Sequence, residues 1–327
     1  MKKIISLVLI AAMLLTGAVL LASCGDANDG TYTVGICQLM PHPALDAATQ
    51  GFIDALTEEI GAENLTIINK NAGNEATVCT TIITDLVTKK VDLILANATP
   101  ALTAAVNGTD VIPVLGTSIT EYATALGLDP DTFTGLVGGN VSGTSDLAPL
   151  ETQAQMILDL FPEAKTVAML YCMGEANSGY QVKVVSEYLQ ARGITVIKKA
   201  FTDTNDVSVV AASAAAEADV IYIPTDNTAA GCAQTIGGVI GDTPVFAGEE
   251  GICSGCGVAT LTISYYDLGV TTGKMAAKIL KGDEDISEMK IEYAETFTKK
   301  YNAERCADLG IDVEALKAAG YVAIETE

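Results

Sequence analysis

The sequence predicts an α/β fold made of two doubly wound lobes with parallel sheets. Short apolar runs rich in Val, Ile and Leu alternate along the chain with segments whose apolar residues recur at helical spacing. The runs are almost continuously apolar, which is typical of strands that helices cover on both faces. The alternation pauses at a glycine-rich stretch, 138–140, and then starts again, so we expect two lobes of similar construction.

The first round of elements precedes this glycine-rich stretch. Apolar, β-branched runs predict strands at 34–37, 65–68, 91–96, 112–115 and 133–137. Helical spacing predicts helices from residue 44, over 76–88 and from residue 100. The loop between the first strand and the first helix holds two prolines and the only histidine of the chain, His42. This loop follows the carboxyl end of a strand, where open α/β sheets bind ligands.

The second round follows the same alternation. The predicted strands lie at 166–171, 195–200, 220–223 and 244–247, and the predicted helices at 149–160, 178–192, 206–216 and 227–240. One more strand, 258–263, and one more helix, 266–281, come next. Gly282 follows that helix directly and is a typical C-terminal cap.

The N-terminus has the pattern of an export signal. Lys2 and Lys3 precede an apolar run at 4–21, and Leu21-Ala22-Ser23-Cys24 resembles a bacterial lipobox. We therefore expect residues 1–23 to be a lipoprotein signal peptide, Cys24 to carry the lipid, and residues 24–31 to form a polar tether on the outer side of the cell membrane. A retained transmembrane anchor is the alternative, because the run is long enough to span a bilayer.

The composition argues against several classes of partner and reaction. The formal net charge of −23 argues against nucleic acid, which proteins bind through basic patches. The first loop has neither G-x-G-x-x-G nor G-x-x-x-x-G-K-[ST], so no nucleotide cofactor is expected there. No G-x-S-x-G nucleophile motif is present, and the protein is not expected to be an enzyme. With only two arginines, an arginine fork for a ligand carboxylate is not expected either.

The cysteines give one local motif, Cys253-Ser-Gly-Cys256. Seven cysteines remain besides Cys24, and an odd number outside the cytoplasm leaves at least one free thiol. A redox or zinc site would need further ligands, and a second C-x-x-C and a histidine pattern are missing. We therefore interpret the motif as a local disulfide or as two structural thiols, and we expect no metal and no cofactor.

Small and polar residues follow the predicted strands of both rounds, and they are the candidates for a ligand site. Loops at the carboxyl ends of parallel strands share one edge of a sheet, so these residues should face one another between the lobes. The candidates are Gln38, His42, Leu45, Asp46, Thr99, Pro100, Thr117, Ser118, Ser145, Asp146, Glu175, Asn177, Thr225, Asp226, Asn227 and Glu249. For Thr99, Asp146, Asn177 and Asp226 an ordinary helix N-cap is the alternative.

His42 has several possible roles. A single histidine can act as a general base, a metal ligand or a pH switch. Catalysis or metal binding would require oriented partners that the sequence does not offer. We therefore interpret His42 as a loop or packing residue near the ligand.

A set of segments in a fixed order resembles one known family. The segments are VGICQLMPHPALDAATQGFIDAL (34–56), NATPALTAA (97–105), VSGTSDLAPLETQ (141–153), YCMGEANSGYQV (171–182), YIPTDNT (222–228), PVFAGEE (244–250) and YYDLGVTTGKMAAKIL (265–280). Together they resemble the ABC-transporter substrate-binding proteins of the tryptophan/tyrosine-binding type. The resemblance covers nearly all of the chain after residue 31.

The resemblance implies a type I periplasmic-binding-protein-like fold, with the lobes joined by a three-segment hinge near Ser142, Ser264 and Ile286. Lobe one would comprise residues 32–142 and 264–286, and lobe two residues 143–263 and 287–327. It also implies capture of a small solute outside the cytoplasm, closure of the lobes around it, and delivery to an ABC permease. The cysteine-rich loop 250–256 and the Met40-Pro41 pair depart from the family pattern and leave the ligand preference open.

The expected ligand is a zwitterionic amino acid. The resemblance implies an aromatic or large apolar side chain, and the candidate residues favour the zwitterion. Its carboxylate would accept from backbone N–H groups at helix starts and from Thr99, Ser118 and Gln38. Its ammonium would bind Asp226 or Glu249, of which Asp226 is favoured. The alternatives are a sugar or nucleoside ligand, a lipoprotein sensor, and a hydrolase on the same fold.

Overall fold

A computed structural model of the protein describes residues 30–325. The predicted signal peptide (1–23), the lipidation at Cys24 and most of the predicted tether (24–31) lie outside these residues. Within residues 30–325, no helix has both the length and the apolarity needed to cross a bilayer. The strands of this part of the chain form two mostly parallel sheets covered by helices, so the predicted fold class is confirmed.

The first sheet builds lobe one. Its strands are β1 (Tyr32–Gln38), β2 (Leu65–Asn71), β3 (Leu93–Asn97), β4 (Val114–Ile119), β5 (Val141–Ser145) and β11 (Glu292–Tyr293), in the order β11-β5-β4-β3-β1-β2. All their pairings are parallel. Strand β1 lies inside the sheet with every residue from Val34 to Gln38 buried, which explains its continuous apolar run.

The second sheet builds lobe two. Its strands are β6 (Thr166–Cys172), β7 (Thr195–Phe201), β8 (Val220–Ile223), β9 (Val245–Ala247), β10 (Ala259–Thr262), β12 (Thr298–Tyr301) and β13 (Val322–Ala323), in the order β13-β12-β10-β9-β8-β6-β7. Strand β12 runs antiparallel to β10 and closes the parallel part of the sheet.

The helices cover both faces of each sheet. They are α1 (Pro43–Ile60), α2 (Ala76–Thr88), α3 (Thr99–Gly108), α4 (Tyr122–Ala125), α5 (Leu150–Leu160), α6 (Ala176–Gln190), α7 (Val207–Glu217), α8 (Asn227–Gly231), α9 (Ala233–Gly237), α10 (Glu250–Cys256), α11 (Tyr265–Lys281), α12 (Ala303–Asp308) and α13 (Val313–Ala318). Helix α11 ends at Gly282, whose φ of 75° is the left-handed cap expected from the sequence.

Helices α1 and α11 pack with their backbones very close together. A Cβ atom added at Gly269 would lie 2.0 Å from the carbonyl oxygen of Ala48, and one at Gly51 would lie 2.1 Å from that of Tyr266. Only glycine permits this approach. Because both helices begin at the site described below, this contact fixes their first turns relative to each other.

Three predicted elements differ from the structure. Residues 133–137 form no strand, because Gly135 and Gly138 adopt positive φ and leave only an isolated bridge between Leu136 and Lys290. The predicted helix 227–240 is two short helices, α8 and α9, separated at Cys232. The cysteine-rich segment 250–256, read as a loop, is helix α10.

The chain passes between the sheets after β5, between β10 and α11, and between β11 and β12. Sheet one therefore reaches Ser145 and includes Glu292–Tyr293, a few residues beyond the crossings expected near Ser142 and Ile286. The difference arises because β11 pairs in parallel with β5 before the chain returns to lobe two.

The cysteines of residues 30–325 are all free. Cys253 and Cys256 lie on α10 with both side chains buried. Burial raises the pKa of the Cys256 thiol to about 12, which makes it unreactive. Of the two interpretations of this C-x-x-C, the pair of structural thiols agrees with the structure.

Candidate functional site

A small cavity lies where the strand ends of the two lobes face each other. Its volume is about 10 Å³, which is room for one water molecule or one group of similar size. It is lined by residues from lobe one, the hinge and lobe two: His42, Ala44, Leu45, Ser118, Thr120, Asp146, Asn177, Thr225, Asp226, Asn227, Ala230, Glu249 and Tyr265.

Lobe one contributes His42 from the loop before α1. The Nδ1 atom of His42 accepts a hydrogen bond from the backbone N–H of Ala44 at 3.1 Å and so caps the helix. A neutral imidazole with this bond carries its proton on Nε2. That nitrogen lies 4.0 Å from Oε1 of Glu249 in lobe two, so the two side chains face each other between the lobes.

Lobe one also contributes Ser118, near the end of β4. Its φ of 56° is unusual for a residue with a side chain, and it lies in a register irregularity between β4 and β5. The side chain is 6% exposed, and its Oγ has no hydrogen-bond partner among the described residues.

Two crossings of the hinge meet at the cavity. Asp146 follows β5 at the first crossing, and Tyr265 starts α11 after the second. The hydroxyl of Tyr265 donates to Oδ2 of Asp146 at 3.0 Å, whereas Oδ1 of Asp146 has no partner among residues 30–325. Burial raises the pKa of Asp146 to about 6 against the lowering effect of its hydrogen bonds. Asp146 is therefore a buried carboxylate with one oxygen left unpaired.

Asp226 of lobe two is bonded quite differently. Its Oδ1 accepts from the N–H of Ala229 and caps α8, and its Oδ2 accepts from the N–H of Cys172 and the hydroxyl of Ser178, all at 2.7–2.8 Å. Burial, and then the nearby Glu175 carboxylate, raise the pKa of Asp226 to about 8. Both oxygens of Asp226 are thus committed to protein donors.

Glu175 and Glu249 also bind helix starts. Glu175 accepts from the backbone N–H groups of Asn227 and Thr228 at 2.9 and 2.8 Å and braces the first turn of α8. Glu249 caps α10 by accepting from the N–H groups of Gly251 and Ile252. Both carboxylates therefore stabilise short helices that would otherwise present unpaired N–H groups.

Asn177 supplies another unpaired acceptor. Its Nδ2 donates to the carbonyl oxygen of Thr225 at 2.9 Å, and its Oδ1 has no partner in the described part of the chain. Three buried atoms that line this cavity thus lack partners: Ser118 Oγ in lobe one, Asp146 Oδ1 at the hinge and Asn177 Oδ1 in lobe two. Buried polar atoms are rarely left unpaired, so their convergence points to a ligand group.

The structure brings many of the predicted site residues together at this cavity. The predicted residues that line it are His42, Leu45, Ser118, Asp146, Asn177, Thr225, Asp226, Asn227 and Glu249. The predicted residues that do not line it are Gln38, Asp46, Thr99, Pro100, Thr117, Ser145 and Glu175. Several of these form hydrogen bonds that hold the strands and helices next to the cavity.

Gln38 donates to Oδ1 of Asp46 at 2.6 Å and accepts from the hydroxyl of Thr49 at 2.6 Å, which ties the end of β1 to α1. Thr117 belongs to a buried hydroxyl cluster with Thr144 and Thr272. Ser145 donates to the carbonyl oxygen of Thr120. These side chains are bonded within the protein and do not line the small cavity.

Four lining residues were not predicted: Ala44, Thr120, Ala230 and Tyr265. The alanines carry no chemical signal. Tyr265 stands directly after Ser264, the N-cap of α11, and its place at a predicted hinge crossing was the available clue. Thr120 directly follows β4, two residues after Ser118.

A larger cavity adjoins the small one. Its volume is about 1030 Å³, and it shares with the small cavity His42, Ala44, Ala230, Glu249 and Tyr265. Lys300 lines it and forms an ion pair with Glu250 at 2.6 Å. No cluster of three or more His, Cys, Asp or Glu side chains suited to a metal ion occurs within residues 30–325.

The two lobes touch in this structure. The side-chain amide of Asn74 in lobe one donates to the hydroxyl of Thr228 in lobe two at 3.4 Å, and His42 faces Glu249 nearby. The lobes are therefore closed over the small cavity.

Known proteins are similar to this chain in sequence and in fold. The model of the family "ABC transporter substrate binding protein" matches residues 33–321. The chain is 32% identical over 305 residues to the tyrosine-binding protein of Clostridioides difficile strain R20291, covering 86% of this chain and 85% of that protein.

Two solved structures of similar proteins, one with a ligand and one open, can be compared with this chain. An ABC domain from Streptococcus pneumoniae in complex with L-Trp has a TM-score of 0.82 at 30% identity, covering 89% of this chain and 100% of that chain. A ligand-free, open substrate-binding protein from Clostridium difficile has a TM-score of 0.70 at 32% identity, covering 91% and 100%. The higher score with the complex agrees with the contacts between the lobes.

The resemblance noted in the sequence is confirmed by these matches. The family model spans most of the described residues, and the match to the curated relative covers 85% of that protein. Both results agree with two parallel-sheet lobes that close on a cavity at their facing strand ends. The chain belongs to the family of ABC transporter substrate-binding proteins.

Proposed function

We propose that the protein captures a zwitterionic amino acid with an aromatic or large apolar side chain and presents it to the permease of an ABC transporter. The observation that carries this proposal is the set of unpaired acceptors around the small cavity: Ser118 Oγ, Asp146 Oδ1 and Asn177 Oδ1. A primary ammonium has three N–H donors, one for each of these acceptors, and it is small enough for a cavity of about 10 Å³. The names of the relatives, which mention tyrosine and L-Trp, agree with an amino acid.

Asp146 is the proposed partner of the ligand ammonium. It has a free, buried carboxylate oxygen, whereas both oxygens of Asp226 already accept from the protein. The position of Asp146 at a hinge crossing would also couple binding to closure, because a ligand shifts the open–closed equilibrium through contacts that it gains in the closed state.

The side chain of the ligand requires more room than the small cavity offers. We place it toward the larger cavity of about 1030 Å³, whose lining includes Ile263 and Tyr266. For the ligand carboxylate, His42 lies at the boundary of the two cavities, and Leu45 and Asn177 bring the first turns of α1 and α6, with their backbone N–H donors, to the small cavity. Gln38 and Thr99, expected as donors from the sequence, do not line the small cavity.

Calorimetric titration of the ligand-stripped protein tests this function. Tyrosine, tryptophan, phenylalanine and leucine are titrated, with glucose and adenosine as controls for the alternative ligands. We expect saturable binding of at least one of the three aromatic amino acids and no heat from the controls. Binding of glucose or adenosine alone, or no binding of any of the four amino acids, would refute the proposal. We expect no turnover of the bound ligand.

The proposed location is the outer side of the cell membrane, with the lipid on Cys24. Replacement of Cys24 by serine removes the thiol to which the lipid would attach, so we expect mature protein in the soluble fraction or an uncleaved precursor. Fractionation followed by immunoblotting measures this, with the wild type as the membrane-bound control. Mature-size Cys24→Ser protein that stays in the membrane fraction would contradict lipidation.

A further inference from the structure

Two cysteines of lobe one lie against each other in its core. Cys37 is the next-to-last residue of β1, and Cys79 lies in the first turn of α2. Both side chains are fully buried within the same cluster of apolar residues. A hydrogen bond between the two thiols raises the pKa of Cys37 and lowers the pKa of Cys79, so the two sulfur atoms are direct neighbours. Both cysteines are free in this structure.

The packing of α2 against β1 explains this contact. Leu86 of α2 packs on the backbone of Gly35, where an added Cβ atom would lie 2.6 Å from Cδ2 of Leu86. Cys37 comes two residues after Gly35 and lies on the same face of the strand. Cys79 comes seven residues before Leu86 and lies on the same face of the helix. Because α2 returns from the end of β2 to the start of β3, it runs opposite to β1 and brings the two cysteines level.

Other buried thiols of the chain are bonded differently. Cys172, Cys256 and Cys306 each donate to a backbone carbonyl oxygen. Two thiols in contact, in contrast, have side chains that already point at each other, as a disulfide requires. Among the described cysteines, Cys37 and Cys79 are therefore the pair best placed for a covalent bond.

The compartment in which the family works favours oxidation of such a pair. Substrate-binding proteins of ABC transporters are extracytoplasmic, and disulfides form and persist outside the cytoplasm. We propose that Cys37 and Cys79 form a disulfide in the exported protein and that this bond stabilises lobe one. The inference is independent of the ligand, because neither cysteine lines the small or the larger cavity.

The bond forms by exchange with another disulfide, that of an extracytoplasmic thiol–disulfide oxidoreductase. One thiolate of the pair attacks a sulfur of the oxidant, breaks its S–S bond and gives a mixed disulfide. The second thiolate then attacks the cysteine sulfur of this intermediate and forms the bond between Cys37 and Cys79. The oxidant leaves as a dithiol with the two protons and two electrons that the cysteines have lost. Because both side chains are fully buried after folding, the exchange precedes the packing of α2 on β1.

The disulfide closes a loop of residues 37–79, which contains all of α1 and β2. Within this loop, His42 lines the small cavity and Asn74 forms the contact with lobe two. Closing a long loop restricts the unfolded chain and so stabilises the folded one. The bond thus stabilises the part of lobe one that meets both the cavity and the other lobe.

Peptide mapping tests the bond. Full-length protein from cells that export it is unfolded in N-ethylmaleimide, which blocks free thiols, and is digested with trypsin without reduction. Cleavage after Lys70 separates Cys37 from Cys79, so only a disulfide can keep their peptides together. We expect the linked pair of peptides as the main form and its separation after reduction. Maleimide on both cysteines, or a bond from either one to a different cysteine, would overturn the proposal.

Thermal melts test the stabilisation. Each protein is unfolded, reduced and refolded either in reductant or with a glutathione redox pair, and the two melting temperatures are compared. We expect the reduced wild type to melt about 5–10 °C lower than the oxidised wild type, and Cys79→Ala to show no difference.

Cys256→Ala is the matched control for the melts, because it removes a buried thiol that donates to a carbonyl oxygen and not to another thiol. This variant should respond to reduction as the wild type does. No response of the wild type, or an equal response of Cys79→Ala, would overturn the stabilising role. If Cys79→Ala does not fold, the peptide map of the wild type still decides whether the bond exists.

Discussion

Asp146→Asn should weaken the binding of a zwitterionic amino acid by about 2–5 kcal/mol, or roughly 30- to 5,000-fold. The variant keeps the size of the side chain and an oxygen that can accept from the Tyr265 hydroxyl. It removes the charge of the one cavity carboxylate that has an oxygen without a protein partner. Calorimetric titration measures the change in wild type and Asp146→Asn. Asp110→Asn is the control, because Asp110 is an exposed carboxylate of lobe one that does not line the cavity. Equal affinities of all three proteins would refute the role of Asp146.

The same substitution should not destabilise the ligand-free protein. Burial raises the pKa of Asp146 from 3.8 to about 6. The carboxyl group of Asp146 therefore binds a proton more tightly in the folded state than in the unfolded state. Keeping the group ionised at pH 7 then costs about 3 kcal/mol of stability, a cost that an uncharged asparagine avoids. We expect the melting temperature of Asp146→Asn at pH 7 to equal or exceed that of the wild type.

The pH dependence follows from the same shift. As the pH falls from about 6 toward 3.8, Asp146 becomes protonated in the folded state first, so its unfavourable contribution to stability disappears over this window. The groups that face it are the hydroxyls of Thr120 and Tyr265, which lower its pKa, and Glu249, which raises it, with His42 and Asp226 in the same cavity. Affinity for an ammonium ligand should decrease as the pH falls below about 6, because protonated Asp146 carries no charge.

The fold was predictable because it rests on periodic patterns. Continuous apolar runs such as that of β1 and β3 indicate strands that are buried on both faces, and the structure has them there. The failure at residues 133–137 has a local cause. The apolar residues Phe133 and Val137 do pack against the core, but the glycines between and after them take positive φ and break the extended backbone.

The site was only partly predictable, because residue type and loop position do not fix the partners of a side chain. Asp226 and Asp146 both look like N-caps in the sequence. The donors that occupy Asp226, Cys172 and Ser178, come from 54 and 48 residues away, and only the folded sheet brings them there. Gln38 likewise stands at the carboxyl end of a strand, but its side-chain amide is hydrogen-bonded to Asp46 and Thr49. Which polar atoms remain unpaired is a property of the tertiary structure.

Asp226→Ala should produce the opposite result to Asp146→Asn: a clear loss of stability with affinity nearly intact. The variant removes the cap of α8, which is worth about 0.5–2 kcal/mol, and leaves the buried N–H of Cys172 unpaired, which costs about 1–3 kcal/mol. Burial raises the pKa of Asp226 to about 8, so relief from its desolvation offsets part of this loss, and we expect a net decrease of about 1–3 kcal/mol.

The control for Asp226→Ala is Asp206→Ala. Asp206 also lies in lobe two and accepts backbone N–H groups, from Thr202 and Asp203, but those bonds are exposed to solvent and should matter less. Chemical denaturation and calorimetric titration of both variants give stability and affinity separately. We expect tyrosine to bind Asp226→Ala within about threefold of the wild type, because a cap whose oxygens are both occupied contributes little to the ligand. If the affinity instead falls as far as in Asp146→Asn while the protein remains folded, Asp226 is the ammonium partner, and the assignment of that role to Asp146 is wrong.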